Sequence, residues 1–350
     1  MAQKHGIIRV LLAVLTAMVM VSLLPAFSFA KEKKINIRFS TWHVPSGADV
    51  QNLWIPMLEE MKRRSNNRIS YTMYSGGALG NGPDHFDIVR TGLSDMGYAT
   101  LSWTPGRFPL TDVLSSPIVC PAKWKGVEAG MAMYDKMLSP EFKDVKVLHI
   151  NNCVMAHLWT TRPVARLEDL KGMKIRSPGG LQTRAIQALG ATPVFMPMGD
   201  VYLSMETGVI DGVVTCPALI KAFKIDEVAG FGVPTSFGCA SEGLFVNQRF
   251  WNRVPEDLKP IIEAVGRDAY KIAGVFDEDW YIKTMAGFKD SVEIKELSDK
   301  EQLRWDERFK GMLVAWADEL EAKGLPGKKA LITFKEELGR VGVGFNACPY

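Results

Sequence analysis

The sequence predicts an α/β protein folded as two lobes. Strand and helix signals alternate along most of the chain, which places helices on mostly parallel sheets. The length of 350 residues exceeds what one hydrophobic core usually serves. A long helical stretch falls late, at 255–289, and two sheets joined by it fit better than one very wide sheet. No fixed-period repeat and no low-complexity tract breaks the pattern.

In order along the chain, Ile35, Ile37 and Phe39 alternate with Asn36, Arg38 and Ser40, the period of a strand with one buried face. Residues 47–64 carry Val50, Leu53, Trp54, Met57, Leu58 and Met61 at the spacing of an amphipathic helix. Ile69, Tyr71 and Met73 alternate again, and the glycine-rich stretch 75–82 interrupts the chain. Pro83 opens a helix with Phe86, Val89 and Leu93 on one side, because proline is tolerated in a first turn. Short strands follow near 96–98, 145–150 and 158–160. The middle reads as strand 174–176, helix 182–189, strand 192–196, helix 200–207, strand 209–215 and helix 218–228. After 243–247 comes the stretch 255–289, interrupted only by Gly266, Gly274 and Gly287. A strand at 291–297 and helices at about 299–323 and 328–339 close the chain.

The first thirty residues differ from the rest. A basic start, an apolar run from Ile7 to Phe29 and the small residues Ser28 and Ala30 describe a secretory signal peptide cleaved after about Ala30; a retained membrane anchor is the alternative. Losing Lys4 and Arg9 with that segment takes the formal charge from +3 to +1. A nearly neutral chain has no bulk charge for gathering polyphosphates, so nucleic-acid binding is disfavoured. The five cysteines, Cys120, Cys153, Cys216, Cys239 and Cys348, form no Cys-x-x-Cys pair and match no zinc spacing. Export permits a disulfide, but buried thiols are the plainer reading.

The common catalytic and phosphate-binding motifs are missing: Gly-x-Ser-x-Gly, His-Glu-x-x-His, the phosphate loop and Gly-x-Gly-x-x-Gly. The histidines are scattered singly. His43 stands out because Thr41-Trp42-His43 lies just beyond a strand end, where open α/β sheets place ligand contacts. Trp42, Trp103, Phe108, Trp159 and Phe195 sit beside strand ends or loops, where core or lid packing competes with ligand contact. Arg176 ends a strand and points at the turn Ser177-Pro-Gly-Gly180; an arginine there more often faces solvent.

Several segments in order resemble one family. Leu167-Glu-Asp-Leu-Lys-Gly-Met-Lys-Ile-Arg176, Ala191-Thr-Pro-Val-Phe-Met-Pro197 and Thr207-Gly-Val-Ile-Asp-Gly212 resemble solute-binding proteins of TRAP transporters, dicarboxylate-binding type. Gly77-Ala-Leu-Gly80, Val89-Arg-Thr-Gly-Leu-Ser-Asp95, Pro105-Gly-Arg-Phe-Pro-Leu110 and the run from Val246-Asn247 to Val254-Pro-Glu extend the resemblance over nearly all of 35–297.

The resemblance implies a two-lobed periplasmic binding protein with crossover strands and a long lobe-spanning helix. Lobe I would comprise 31–154 with about 243–285, and lobe II 155–242 with about 286–340, the ligand lying between them. It implies that Arg176 grips the carboxylate of an organic acid, where a planar guanidinium offers a two-pronged, permanently charged fit. Trp42, His43, Trp103, Phe108 and either His157 or Trp159 would line the cleft, with Phe195 nearby. The segment after Gly212 forms another wall, and here Thr215 and Cys216 stand where many relatives have an amide or an indole. The second arginine of some sialic-acid-binding relatives has no counterpart, since Ala156 or His157 falls there. The implied function is a non-enzymatic periplasmic receptor, monomeric and without cofactor or metal, that delivers the acid to the small and large TRAP membrane subunits. Two alternatives stand beside it: a secreted α/β enzyme using His43 or His157 as base, and a receptor of this fold serving a sensor kinase.

Overall fold

A computed structural model of the protein describes residues 33–120, 122–152 and 155–350. The expected signal peptide and Cys153 lie outside the described residues. Residues 35–350 form one compact unit that carries two sheets, the basis of its two-lobed α/β architecture.

The first sheet has the order β2-β1-β3-β10-β4. Its strands are β1 (Ile35–Ser40), β2 (Ile69–Tyr74), β3 (Met96–Thr100), β4 (Val145–Asn152) and β10 (Ser241–Asn247). The second runs β11-β9-β5-β8-β6-β7. It comprises β5 (His157–Thr160), β6 (Lys174–Ser177), β7 (Thr192–Phe195), β8 (Gly212–Thr215), β9 (Phe231–Val233) and β11 (Glu293–Ile294). The expectation of mostly parallel sheets holds for β2-β1-β3 and for β8-β6-β7. Both sheets are nonetheless mixed, because β10 runs antiparallel to β3 and β4, and β5 antiparallel to β8 and β9. Connectivity is the cause. The chain leaves the first sheet through β4 into β5 and returns through β9 into β10, so β5 and β10 run opposite to the strands on either side of them.

The helix expected over 47–64 forms in two parts, a wide-turn segment Asp49–Trp54 and an α-helix Ile55–Arg64. Pro56 lies in its first turn and cannot donate a backbone hydrogen bond, which favours the change of winding there. The stretch 255–289 does not form the single long helix expected of it. It breaks into Lys259–Arg267, Ala269–Ala273 and Glu278–Ala286. Gly274 ends the middle piece at φ 61°, and Phe276 also takes a positive φ of 58°. The longest helix among the described residues is instead Asp299–Ala322, with 24 residues. It packs against Gly180–Ala188 beside the second sheet and against Gly327–Arg340, which in turn lies on Lys123–Met133 beside the first. The link between the sheets is thus a helix pair late in the chain.

Candidate functional site

Two adjoining cavities lie between the sheets, about 330 and 310 Å³ counting the space that opens to solvent. The first takes Trp42, Thr100, Trp103 and Glu242 from the side of the first sheet, and Arg176, Gln182, Val214, Thr215, Cys216 and Leu219 from the side of the second. The second shares Trp42, Cys216, Leu219 and Glu242 and adds His43, Asp49 and Lys123. A wider cleft of about 930 Å³ reaches Trp42 and Trp103 from outside, between Gly76–Gly82 and Pro197–Asp200.

Arg176 is placed by β6, whose residues 174–177 pair with β7 and β8. Its side chain is 1% exposed. Nε donates to the Met196 carbonyl at 3.0 Å and Nη1 to the Val214 carbonyl at 3.4 Å. Nη2 is buried without a hydrogen-bond partner, and no carboxylate pairs with Arg176 among the described residues. Burial pushes its pKa down to about 10, so it remains a cation at neutral pH. A buried cation with an unengaged donor is costly unless an anion meets it.

The same cavity gathers further unpartnered polar atoms: the indole Nε1 of Trp42 and of Trp103, Thr100 Oγ1 and Gln182 Oε1. Buried polar atoms are nearly always paired in folded proteins, so five orphans around one cavity single it out as the candidate ligand site. Three of the five only donate, and this set suits an anion. Trp103 owes its position to Gly82, since a Cβ there would lie 2.0 Å from the indole ring. Trp42 packs against it with ring centroids 4.8 Å apart.

His43 faces the second cavity with its ring stacked on Trp42. Trp54 Nε1 reaches its Nδ1 at 3.3 Å and Thr41 Oγ1 lies at 2.8 Å. An indole can only donate, so Nδ1 accepts and the His43 proton sits on Nε2, 3.4 Å from Asp49 Oδ1. Burial lowers the His43 pKa to about 3 and raises that of Asp49. Burial likewise lowers His157 to about 4. Both histidines are therefore neutral, weakly basic imidazoles near neutral pH.

Of the residues singled out in the sequence, Arg176, Trp42, Trp103, Thr215 and Cys216 meet at the first cavity and His43 at the second. Four others are elsewhere. Phe108 is buried in an aromatic cluster, stacked on Phe142 at 5.0 Å and edge-on to Phe86. Trp159 is fully buried behind the cleft wall, donating to the Thr215 carbonyl and packing on Phe288. His157 is fixed between the Thr235 carbonyl and the Tyr281 hydroxyl. Phe195 ends the edge strand β7, 49% exposed. Phe108, Trp159 and His157 pack in the interior, and none of the four lines the two cavities. Thr100, Gln182, Lys123 and Glu242 were missed. Gln182 follows the Arg176 turn by one helical turn, and a charge at the start of an apolar strand was the available signal for Glu242. Lys123 lies on a helix, Lys123–Met133, that the sequence pattern did not reveal.

Cys120 and Cys348 are buried and unpaired, and Cys216 and Cys239 belong to a small apolar cluster with Ala240. Among the described residues no group of three or more His, Cys, Asp or Glu could hold a metal ion. No helix among them is long and apolar enough to cross a membrane.

Comparison with known proteins gives a family. A solute-binding protein of Albidiferax ferrireducens is 23% identical over 310 residues, covering 84% of this chain and 85% of the relative. A TRAP solute-binding protein of Rhodoferax ferrireducens, solved with copurified benzoate, superposes with a TM-score of 0.82 at 22% identity, covering 88% of this chain and 99% of that one. Another from Bordetella bronchiseptica, with bound (R)- and (S)-mandelate, gives 0.80 at 27% identity over the same shares. The family model for DctP, bacterial extracellular solute-binding protein family 7, matches residues 43–319, and the chain belongs to that family of solute-binding receptors.

Proposed function

We propose that this receptor binds one carboxylate-bearing organic acid in the cavity under Trp42 and Trp103 and delivers it, in the periplasm, to the small and large membrane subunits of a TRAP-type transporter. The observation that carries the reading is the buried Arg176 guanidinium, paired with no carboxylate among the described residues and leaving Nη2 unengaged beside two unpartnered indole N–H groups. A carboxylate satisfies these donors together, and the guanidinium supplies its countercharge. Thr215, Cys216 and Gln182 complete the polar wall, while Phe108, His157, Trp159 and Phe195 have no direct part. The receptor works as a monomer whose two lobes, each built on one of the sheets, hold the acid between them.

The body of the acid is aryl or branched. Trp42, Trp103, Val214, Leu219 and Ala240 surround it with apolar surface, and such pockets draw affinity from apolar burial while a few polar groups orient the ligand. Relatives of the same fold hold benzoate and mandelate, which supports this class. The test is mass spectrometry of small molecules released from the purified protein, followed by a thermal-shift screen. An aryl or branched monocarboxylate should be released and should raise the melting temperature. A screen won by sugar acids, with aryl and branched acids silent, overturns the assignment of the body; a response to no acid at all overturns the function.

A further inference from the structure

Opposite Arg176, the first sheet presents a polar row where an apolar floor would be expected. Glu242 on β10 pairs in register with Thr100 on β3 and with Asn151 on β4. Directly opposite residues of antiparallel strands project to one face, so Thr100, Glu242 and Asn151 form a line across three strands. All three are buried. Thr100 Oγ1 and both polar atoms of the Asn151 side chain have no hydrogen-bond partner. Glu242 is held by its Oε2, which accepts from Lys123 Nζ at 2.9 Å and from the Tyr98 hydroxyl. Lys123 Nζ also lies 3.1 Å from the Tyr270 hydroxyl. Thr100 and Glu242 line the same cavity as Arg176.

We infer that Thr100 and Glu242 form a second recognition pole that reads a hydroxyl, so that the ligand is a hydroxy acid, with its carboxylate at Arg176 and its hydroxyl at Glu242. This rests on the carboxylate reading of the Arg176 end. The chemistry of the pole selects the group. A second carboxylate would face Glu242 as a like charge. An ammonium would approach a carboxylate whose Oε2 already holds the Lys123 ammonium at 2.9 Å. A neutral hydroxyl donates to Glu242 and accepts from Thr100, placing no new charge in a buried site. Rejection of dicarboxylates and of amino acids is therefore built into the same row, through repulsion as much as attraction.

Calorimetric titration tests this with benzoate, its 3- and 4-hydroxy derivatives, isophthalate, terephthalate and 3-aminomethylbenzoate, alongside branched aliphatic acids paired with their hydroxy derivatives. In the wild type the best hydroxy acid should bind roughly 10- to 100-fold tighter than its parent, the worth of a hydrogen bond to a charged group. The dicarboxylates and the ammonium compound should bind more weakly than the parent. Glu242→Gln should shrink the hydroxyl preference to within about 3-fold and admit a dicarboxylate, because the Lys123 charge is no longer offset by Glu242. Arg176→Lys should weaken every acid while keeping the preference. Equal affinity for hydroxy and parent acids in the wild type, or an undiminished preference in folded Glu242→Gln, overturns the pole and leaves the carboxylate site standing. If no acid binds, both fall. If Glu242→Gln fails to fold, Thr100→Val replaces it: a reduced hydroxyl preference supports the pole and an unchanged one overturns it.

Discussion

Arg176 is anchored by two carbonyl oxygens and keeps one nitrogen unengaged, so the effect of replacing it follows from burial. Arg176→Ala leaves a ligand carboxylate in a water-poor cavity without its partner, a change that typically costs about 2–5 kcal/mol of binding. Arg176→Lys retains the charge but not the planar fork and should recover part of that loss. Titration of the released acid into both variants checks this; near-wild-type binding by a folded Arg176→Ala removes the carboxylate clamp. His157 gives a pH prediction. A carbonyl only accepts, so Nδ1 donates to Thr235 and Nε2 accepts from Tyr281, which fixes the neutral form. Burial holds its folded pKa near 4, below the unfolded value of about 6.5. Its contribution to stability is therefore complete above pH 6.5 and is lost as pH falls towards 4. By linkage the loss reaches about 2 kcal/mol by pH 5. His157→Gln cannot titrate, so its stability deficit relative to wild type should narrow by about that amount between pH 7.5 and 5. Chemical denaturation at both pH values measures it, and a constant deficit contradicts the assignment.

Two helical glycines should respond oppositely to the same substitution. Gly130 lies where the Lys123–Met133 helix rests on β4, and a Cβ there would come within 2.4 Å of the Ile150 carbonyl oxygen. Backbone must move to admit it, so Gly130→Ala should destabilise by about 1–3 kcal/mol, the usual cost of overpacking. Gly311 is in the Asp299–Ala322 helix, and an added Cβ there would meet nothing within 4 Å. Gly311→Ala should therefore stabilise by about 0.5–1 kcal/mol through helix propensity. Urea melts of the two variants decide it; equal signs would mean the helix does not press on β4. Periodicity in the sequence locates Gly311's helix but gives none for Gly130. The stretch 123–133 buries Gly126, Ala129 and Gly130 along with its larger residues, and small residues leave a weak amphipathic signal.

Across the whole molecule, the chain passes between the sheets at β4 to β5 and at β9 to β10, and cavity walls come from both sides. A backbone close approach joins them: a Cβ at Gly179 would lie 2.2 Å from the Ser102 carbonyl oxygen. Polar cavity atoms this well buried, with walls from both sheets, lead to the prediction that the lobes part and close about the crossing strands as a ligand enters. Small-angle scattering should show compaction on adding the acid, and unchanged profiles at saturation would contradict it. A ligand bound only by the folded state should also add about 2.7 kcal/mol of stability at a hundredfold excess over its Kd.

The sequence by itself determined the α/β class, the alternation of elements, the family resemblance and the place of Arg176 at a strand end. These follow from periodicities of two and 3.6 residues and from ordered local motifs, both of which are written within a few neighbouring positions. Only the tertiary structure decided which of the strand-end and loop aromatics reach the cavity, since local sequence does not say what packs over Trp42 or Phe108. It also decided the breaking of 255–289 and the polar row Thr100–Glu242–Asn151. That row joins residues from positions 100, 151 and 242, which only the antiparallel return of β10 between β3 and β4 brings into register. Pairing across strands depends on topology, and topology is set by burial summed over the whole chain.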